Sequence, residues 1–401
     1  MNFSKSIFLC TLSLLTACGN VSRDDRSSSD ATSTLAVSNA REMEGGEAAV
    51  TDYAKTLPLE KIKLPDGFTI AVYAEVENAR SMAISPSGVV YVGNKDKDKV
   101  YAVKDTNGDN IADKKWVIAS GLNMPNGVAF HDGDLYIAEV SKISKIEDVE
   151  SNINDTPTPT TVVDDYPTET HHGWKYIAFG PDGKLYVPVG APCNICEPKE
   201  EIYASITRIN PDGSGREIYA KGVRNSVGFT WHPSTKELWF TDNGRDMLGD
   251  EIPNCELNHA PKAGMHFGYP YCHEGSVKDP EFGNKRPCSD FVTPSEKLGP
   301  HVAPLGLKFY TGDQFPSEYK NQIFVALHGS WNRTKKSGYN VSLVKLNNNK
   351  VTGREVFASG WLDDAEQKAW GRPVDVLLLP DGSMLISDDQ AGVIYRVSYN
   401  E

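Results

Sequence analysis

The stretch GVRNSVGFTWHPSTKELWFTDNGRDMLGDE, Gly222 to Glu251, holds the architecture in miniature. An apolar run, Val227 to Trp231, is followed by a turn and then a second run with an aromatic centre, Leu238-Trp239-Phe240. Two such runs separated by a turn read as paired strands. Arg224 and Asn225 stand just before the first run, so they emerge at the mouth of a buried strand and are free to meet a ligand. Asp242 to Glu251 then packs Gly244, Gly249 and four acidic residues into ten positions. Such a turn suits carbonyls and carboxylates turned inward around a hard cation. A solvated loop closed by a surface ion pair is the alternative that this stretch alone leaves open.

The same construction recurs along the chain. It reads MAISPSGVVYVGN from Met82, GVAFHDGDLYIAE from Gly127 and YIAFGPDGKLYVPVG from Tyr176. After Gly228 it returns as LGLKFYTG with NQIFVALHG from Leu305, and as VDVLLLPDGSMLISDD from Val374. The early spacing of roughly 45 to 50 residues, about four strands each, is the period of a β-propeller blade. FTIAVYAE, Phe68 to Glu75, has no partner of its own, and GVIYRVSY, Gly392 to Tyr399, ends the chain. Pairing the two removes both exposed edges. The expected fold is therefore all-β, a six-bladed β-propeller closed by strands from both termini. Asp250 to Pro300, rich in Pro, Gly and Cys, is a loop insertion after the fourth blade.

Residues immediately before each inner strand ring one end of a propeller's channel. Here they are Arg80, Asn126, His172, Arg224 with Asn225, His301 and Arg372. Arginines, amides and a histidine on one mouth suit a poly-anionic ligand held by bidentate contacts. Taken singly, each also fits a cap on a blade edge.

Gly 34, Pro 24 and Tyr 17 in 401 residues favour many short strands and turns. The formal net charge of -13 disfavours nucleic acid and offers no basic membrane face. Lys5, the apolar run Ile7 to Leu15 and Leu15-Thr16-Ala17-Cys18 form a secretory signal too short to span a membrane as a mature helix. With cysteine at the cleavage point it resembles the bacterial lipoprotein lipobox, which implies lipidation of Cys18. Gly19 after it implies the outer membrane, facing the periplasm. The expected organisation is a signal peptide over 1–17, a flexible tether over 18–57 and the propeller over 58–401. The tether is Ser-, Asp- and Thr-rich, with a reach of about 35 Å.

From about Leu64 to Tyr399 the chain resembles the soluble quinoprotein glucose and sorbosone dehydrogenase superfamily, closest to its sorbosone dehydrogenase-like branch. The resemblance rests on seven motifs in order. They are HHGWKYIAFGPDGKLYVPVGAPCNIC from His171, GVRN from Gly222, DNGRDMLGDE from Asp242, HFGYPYCHEG from His266, HVAPLGL from His301, HGSWNR from His328 and GRPVDV from Gly371. It implies a calcium-dependent enzyme that uses pyrroloquinoline quinone (PQQ) to oxidise a sugar, an aldose or a sorbosone-like aldehyde, by hydride transfer. By position, His172 matches the general base, Arg224 and Asn225 the contacts to the quinone oxygens, and Arg372 a carboxylate clamp with Arg80 as its first-blade counterpart. The main-chain carbonyls of Gly244 and Arg245 match the pair that holds Ca²⁺. In the fifth blade, where the family uses lysine, this chain offers His328, Asn332 and Arg333, of which Arg333 is the expected cofactor contact. His171 stands where the glucose enzymes carry an acid beside the base.

Export favours disulfides at Cys193-Cys196 and at Cys272-Cys288, with Cys255 left over or replacing either of the latter two. Glu197 after Cys196 rules out a covalent haem motif, so electrons leave to a separate carrier, a quinone or a cytochrome. Asp105, Asn107, Asp109 and Asp113 resemble a calcium-binding hairpin loop without the final bidentate Glu, and a polar turn that binds nothing is the alternative. Asp250 and Glu251 are candidates for a second, structural ion. Two other classes remain: a calcium propeller that hydrolyses lactones, and a non-catalytic binding propeller.

Overall fold

Successive residues of a strand face opposite ways, and in this chain both faces are apolar. Val90 and Val92 point into one buried cluster while Val89 and Tyr91 point into the next; Leu238 and Phe240 are divided from Trp239 in the same manner. A sheet buried on both sides must sit between two others, and a closed ring of sheets satisfies that demand for every member. The structure, a computed structural model, describes residues 45–400. Among these residues it contains six sheets of four or five strands, arranged as a six-bladed β-propeller, and two further two-stranded ribbons.

The first strands of the blades are Ala79–Ile84, Gly127–His131, Ala178–Phe179, Phe229–Trp231, Pro304–Phe309 and Pro373–Leu378. Six of the apolar clusters each join one blade to the next around the ring. Near the axis these strands approach so closely that a side chain has no room. A Cβ on Gly228 would lie 2.2 Å from the carbonyl oxygen of Leu305 in the next blade.

The ring closes as the pattern of its two ends requires. Phe68–Glu75 pairs antiparallel with Val393–Tyr399, from Phe68 opposite Tyr399 to Glu75 opposite Val393, and completes the sixth sheet. Phe68 anchors this seam through edge-on contacts with Phe315, Tyr319, Phe357 and Tyr399, at centroid distances of 4.8 to 5.3 Å.

The insertion lies within the fourth blade. The chain leaves after the third strand, Asn254–Ala260, and returns as the fourth, Glu296–Pro300, paired antiparallel to it. On the way Met265–His266 adds to the outer edge of blade three beside Glu217–Lys221, and Cys272 bonds to Cys288. The propeller body also begins earlier than residue 58. Glu47 bridges to Lys115, Ala49 is fully buried, and Asp52–Thr56 forms a short 3₁₀ turn capped by Thr51. The expected tether is thus docked from residue 47, because Ala49, Val50, Ala54 and Leu57 give it enough apolar surface to pack. The leader and Cys18 lie outside the described residues.

Candidate functional site

In an antiparallel pair the start of one strand lies beside the end of the next. The registers Ala79↔Asn94, Pro304↔Leu327 and Pro373↔Asp388 therefore put residues preceding a first strand beside residues following a second one. Both sets meet at one end of the channel, around a cavity of about 300 Å³. Arg80, His172, Arg224, Asn225, His301 and Arg372 line it from the first set. Asp96, Gly244, Asp246, His328, Trp331 and Asp389 line it from the second. The lining holds four side-chain cations, Arg80, Lys95, Arg224 and Arg372, against three carboxylates, in a protein whose formal charge is -13.

Arg224 is fixed from both ends. Buried Asp242 accepts from the main-chain N–H groups of Arg224, at 2.9 Å, and Asn225, at 2.7 Å, which sets the two side chains at the mouth. The guanidinium then reaches five acceptors. Nε donates to the main-chain oxygen of Asn194, Nη1 to those of Asn243 and Gly244, and Nη2 to the side-chain oxygens of Asn194 and Asp246, over 2.8 to 3.3 Å. Burial raises the Asp242 carboxyl above the ordinary range, against the pull of those amides; its strand partner Glu256 is raised by burial and by Asp242 itself.

A second array runs across the cavity floor. Arg80 Nη1 donates to Asp389 at 2.8 Å, Asp389 holds the Nε2 side of His328 at 2.9 Å, and Arg372 Nη2 lies 2.9 Å from His328 Nδ1. Arginine has only donors, so Nδ1 is the acceptor and the ring proton sits on Nε2. Burial pushes the His328 pKa down to about 4, so the imidazole is neutral at neutral pH. Burial opposes ionisation of Asp389, yet His328, Arg80 and Arg372 together hold its carboxyl far below the carboxylate range. The Nε of Arg372 is buried and has no partner among the described residues. A guanidinium with an idle buried donor beside a polar cavity fits an acceptor-rich ligand such as a carboxylate.

His172 occupies the left-handed backbone region, φ 53°, a costly conformation for a residue with a β-carbon. Gly190 makes room for it, since a Cβ there would lie 2.5 Å from that of His172. Its Nδ1 donates to the carbonyl of Ala191 at 2.9 Å, which leaves Nε2 as the acceptor nitrogen. Burial first, then Arg224 and His171, hold its pKa far below the usual histidine value. His171 is exposed, 4.1 Å ring to ring from His172. His301 donates from Nε2 to the carbonyl of Gly249 at 2.8 Å.

Other expected site residues lie elsewhere. Asn126 sits behind the wall, accepting from Arg80 Nε at 2.9 Å and donating to Ser81 and to the carbonyl of Lys175. Arg333 does not line the cavity; its guanidinium turns to the Asp250 carbonyl, Glu251 and the Lys335 carbonyl. Asp250 and Glu251 are thereby engaged in tying the acidic turn to blade five, with Asp250 also accepting from the Thr334 N–H. Arg245 aims its side chain at buried Asp279, at 2.6 Å. In the 105–113 loop the oxygens face the loop's own backbone: Asp105 accepts from Gly108 and Asn110, Asn107 from Asp109, Asp109 from Ile111, and Asp113 from Thr106. Among the described residues no group of three or more His, Cys, Asp or Glu side chains is placed to hold a metal. Cys193 is bonded to Cys196, and Cys255 is free and buried, its thiol pushed up to about 11 by burial.

Asn194, Lys95, Asp246, Trp331 and Asp389 were not singled out. Four of them follow the second strand of a blade and Asn194 follows that of blade three by a few residues, so scanning the ends of second strands is the signal that finds them.

Residues 55–397 match the model of a family described as a domain of unknown function, DUF7133. An uncharacterized protein of Borreliella burgdorferi is 36% identical over 356 residues, 85% of this chain and 91% of that protein. A pyrroloquinoline quinone-dependent pyranose dehydrogenase of Coprinopsis cinerea is 45% identical over 131 residues, 26% of this chain and 16% of that enzyme. The PQQ domain of pyranose dehydrogenase from Coprinopsis cinerea, in its holo form, superimposes with a TM-score of 0.71 at 18% identity, covering 84% of this chain and 97% of that domain. The aldose sugar dehydrogenase of Streptomyces coelicolor in PQQ-bound form gives a TM-score of 0.58 at 18% identity, over 84% of this chain and 100% of that one. The structural neighbours are thus quinoprotein sugar dehydrogenases, and at such identities the likeness is one of fold. By the extent of its match, from the first docked segment to the last strand of the ring, the chain belongs to the DUF7133 family.

Proposed function

We propose that the cavity binds PQQ with Ca²⁺ and that the protein is an oxidoreductase acting on a sugar. The observation that carries this reading is the Arg80–Asp389–His328–Arg372 array, with an unpartnered guanidinium nitrogen at its end, opposite a neutral histidine in a strained backbone. The stretch of 131 residues shared with the Coprinopsis cinerea enzyme supports it. When bound, PQQ supplies the two-electron acceptor. Arg372 and Arg80 hold carboxylates, Arg224 and Asn225 stabilise negative charge on the quinone oxygens, and His172 Nε2 receives the proton of the substrate hydroxyl. For Ca²⁺ the chain offers the carbonyls of Gly244 and Arg245. The Gly244 oxygen already accepts from Arg224 at 3.0 Å, and its second lone pair remains for a cation. A sorbosone-like preference, export with a lipid on Cys18, and a separate electron carrier belong to the same proposal.

The test is a titration of the purified apoprotein with PQQ and Ca²⁺, followed by a panel of aldoses with the cofactor's absorbance recorded. Saturable binding and bleaching to the reduced spectrum by at least one sugar are expected. Saturable binding without reduction by any sugar leaves a binding propeller; no binding removes the cofactor assignment.

A further inference from the structure

The cavity divides into a buried, charged floor and a rim of different chemistry. Trp331 lines it with 72% of its surface exposed, and Met247, in the acidic turn, is 70% exposed; these are the two most exposed large apolar side chains described. They lie on separate turns joined at the mouth, because Asn332 Nδ2 donates to Asp246 Oδ1 at 2.7 Å. Trp331 makes no ring contact with another aromatic among the described residues, whereas Trp174, deeper in the same cavity, carries Lys95 over its face at 4.7 Å. An open indole is costly to leave in water, and here it stands beside a donor, Lys95, and an acceptor, Asp96. Such a rim suits a small ring with one C–H face and hydroxyls around its edge. Two isolated side chains fall well short of the roughly 800 Å² per partner that a stable protein interface buries.

We propose that Trp331 is the stacking platform for a pyranose ring and decides which sugars enter the cavity. Its place as a substrate platform rests on the sugar-oxidising reading of the floor. The probes are methyl glycosides of glucose, galactose and xylose, whose blocked anomeric carbon cannot be oxidised there, with D-sorbitol as an open-chain control. Binding to the full chain supplied with PQQ and Ca²⁺ is measured by tryptophan fluorescence and saturation-transfer NMR. The wild type should bind at least one glycoside more tightly than sorbitol. W331A should weaken that binding about tenfold or more, and W331F should restore most of it, since a flat ring remains. Unchanged affinity in W331A, or no glycoside binding to the wild type, overturns the proposal. If glycosides bind through Trp331 while no aldose reduces the cofactor, the platform stands and the enzymatic reading falls. If aldoses are oxidised with the same kcat/KM by W331A, the platform falls and the enzymatic reading stands.

Discussion

Asn194 meets the guanidinium of Arg224 with both of its oxygens, the main-chain oxygen accepting from Nε at 2.9 Å and Oδ1 from Nη2 at 2.8 Å. The same side chain also joins Asp246, accepting from its N–H at 2.8 Å and donating to its carbonyl at 3.1 Å. Asn194 is enclosed by the Cys193–Cys196 disulfide, and the Cys196 N–H donates to the Tyr269 hydroxyl at 3.0 Å. A covalent loop thus holds the amide that holds the arginine. Asn194→Ala should keep the fold and weaken PQQ binding about tenfold, near 1.4 kcal/mol. Opening the loop with dithiothreitol should do the same reversibly. Equal cofactor affinity in both cases would show that Arg224 needs no support from this loop.

His172 is held neutral by burial, Arg224 and His171, and it remains neutral well below the pH at which an exposed histidine charges. A base that stays unprotonated loses no function as pH falls through 6.5. Steady-state turnover should therefore lack an acid limb between about pH 5 and 8, while His172→Ala removes turnover and leaves PQQ binding intact. A fall in kcat/KM centred near pH 6.5 in the wild type, absent from a His171→Ala variant, would assign that limb to His171 instead.

The Arg80–Asp389 pair is almost dry, with side-chain exposures of 3% and 8%. Removing one partner of such a pair leaves a buried charge alone, at a cost of roughly 3–5 kcal/mol. Asp389→Ala should lower the urea midpoint accordingly and release His328 from its tautomer. A change below about 1 kcal/mol would mean that water reaches the pair.

Asp242 and Glu256 face each other across one strand register and are both raised by burial. The folded state then binds more protons than the unfolded chain above the ordinary carboxylate range, so these groups favour folding less as pH rises toward neutrality. Glu256→Gln should flatten the decline of Tm between about pH 5 and 8. A steeper decline in the variant would reverse the assigned direction.

How much of this was readable from the residues follows from what each signal measures. Alternating and run-type apolarity reports burial, so the blades, their number and the terminal seam were legible from segments such as FTIAVYAE and GVIYRVSY. Position before a strand reports the mouth, which is why Arg80, His172, Arg224 and Arg372 were found. Side-chain direction is decided by neighbours distant in sequence. Nothing local tells that Arg333 turns to Glu251, 82 residues away, or that Asp389 sits under Arg80, 309 residues away. Asn126 was placed correctly at its strand and misread in purpose, because a buried amide between Arg80 and Lys175 serves the wall and not the opening.

The antiparallel seam sets Phe68 against Tyr399, so the two chain ends leave the ring side by side. Tension applied through them would peel this ladder one rung at a time instead of shearing all its bonds together. Shortening the chain by its last seven residues, or replacing Phe68 with alanine at about 3 kcal/mol, should make this the place where the circle first parts. A fusion at both ends, by the same geometry, brings its two cargoes to one corner of the rim and leaves the opposite face of the disc unencumbered.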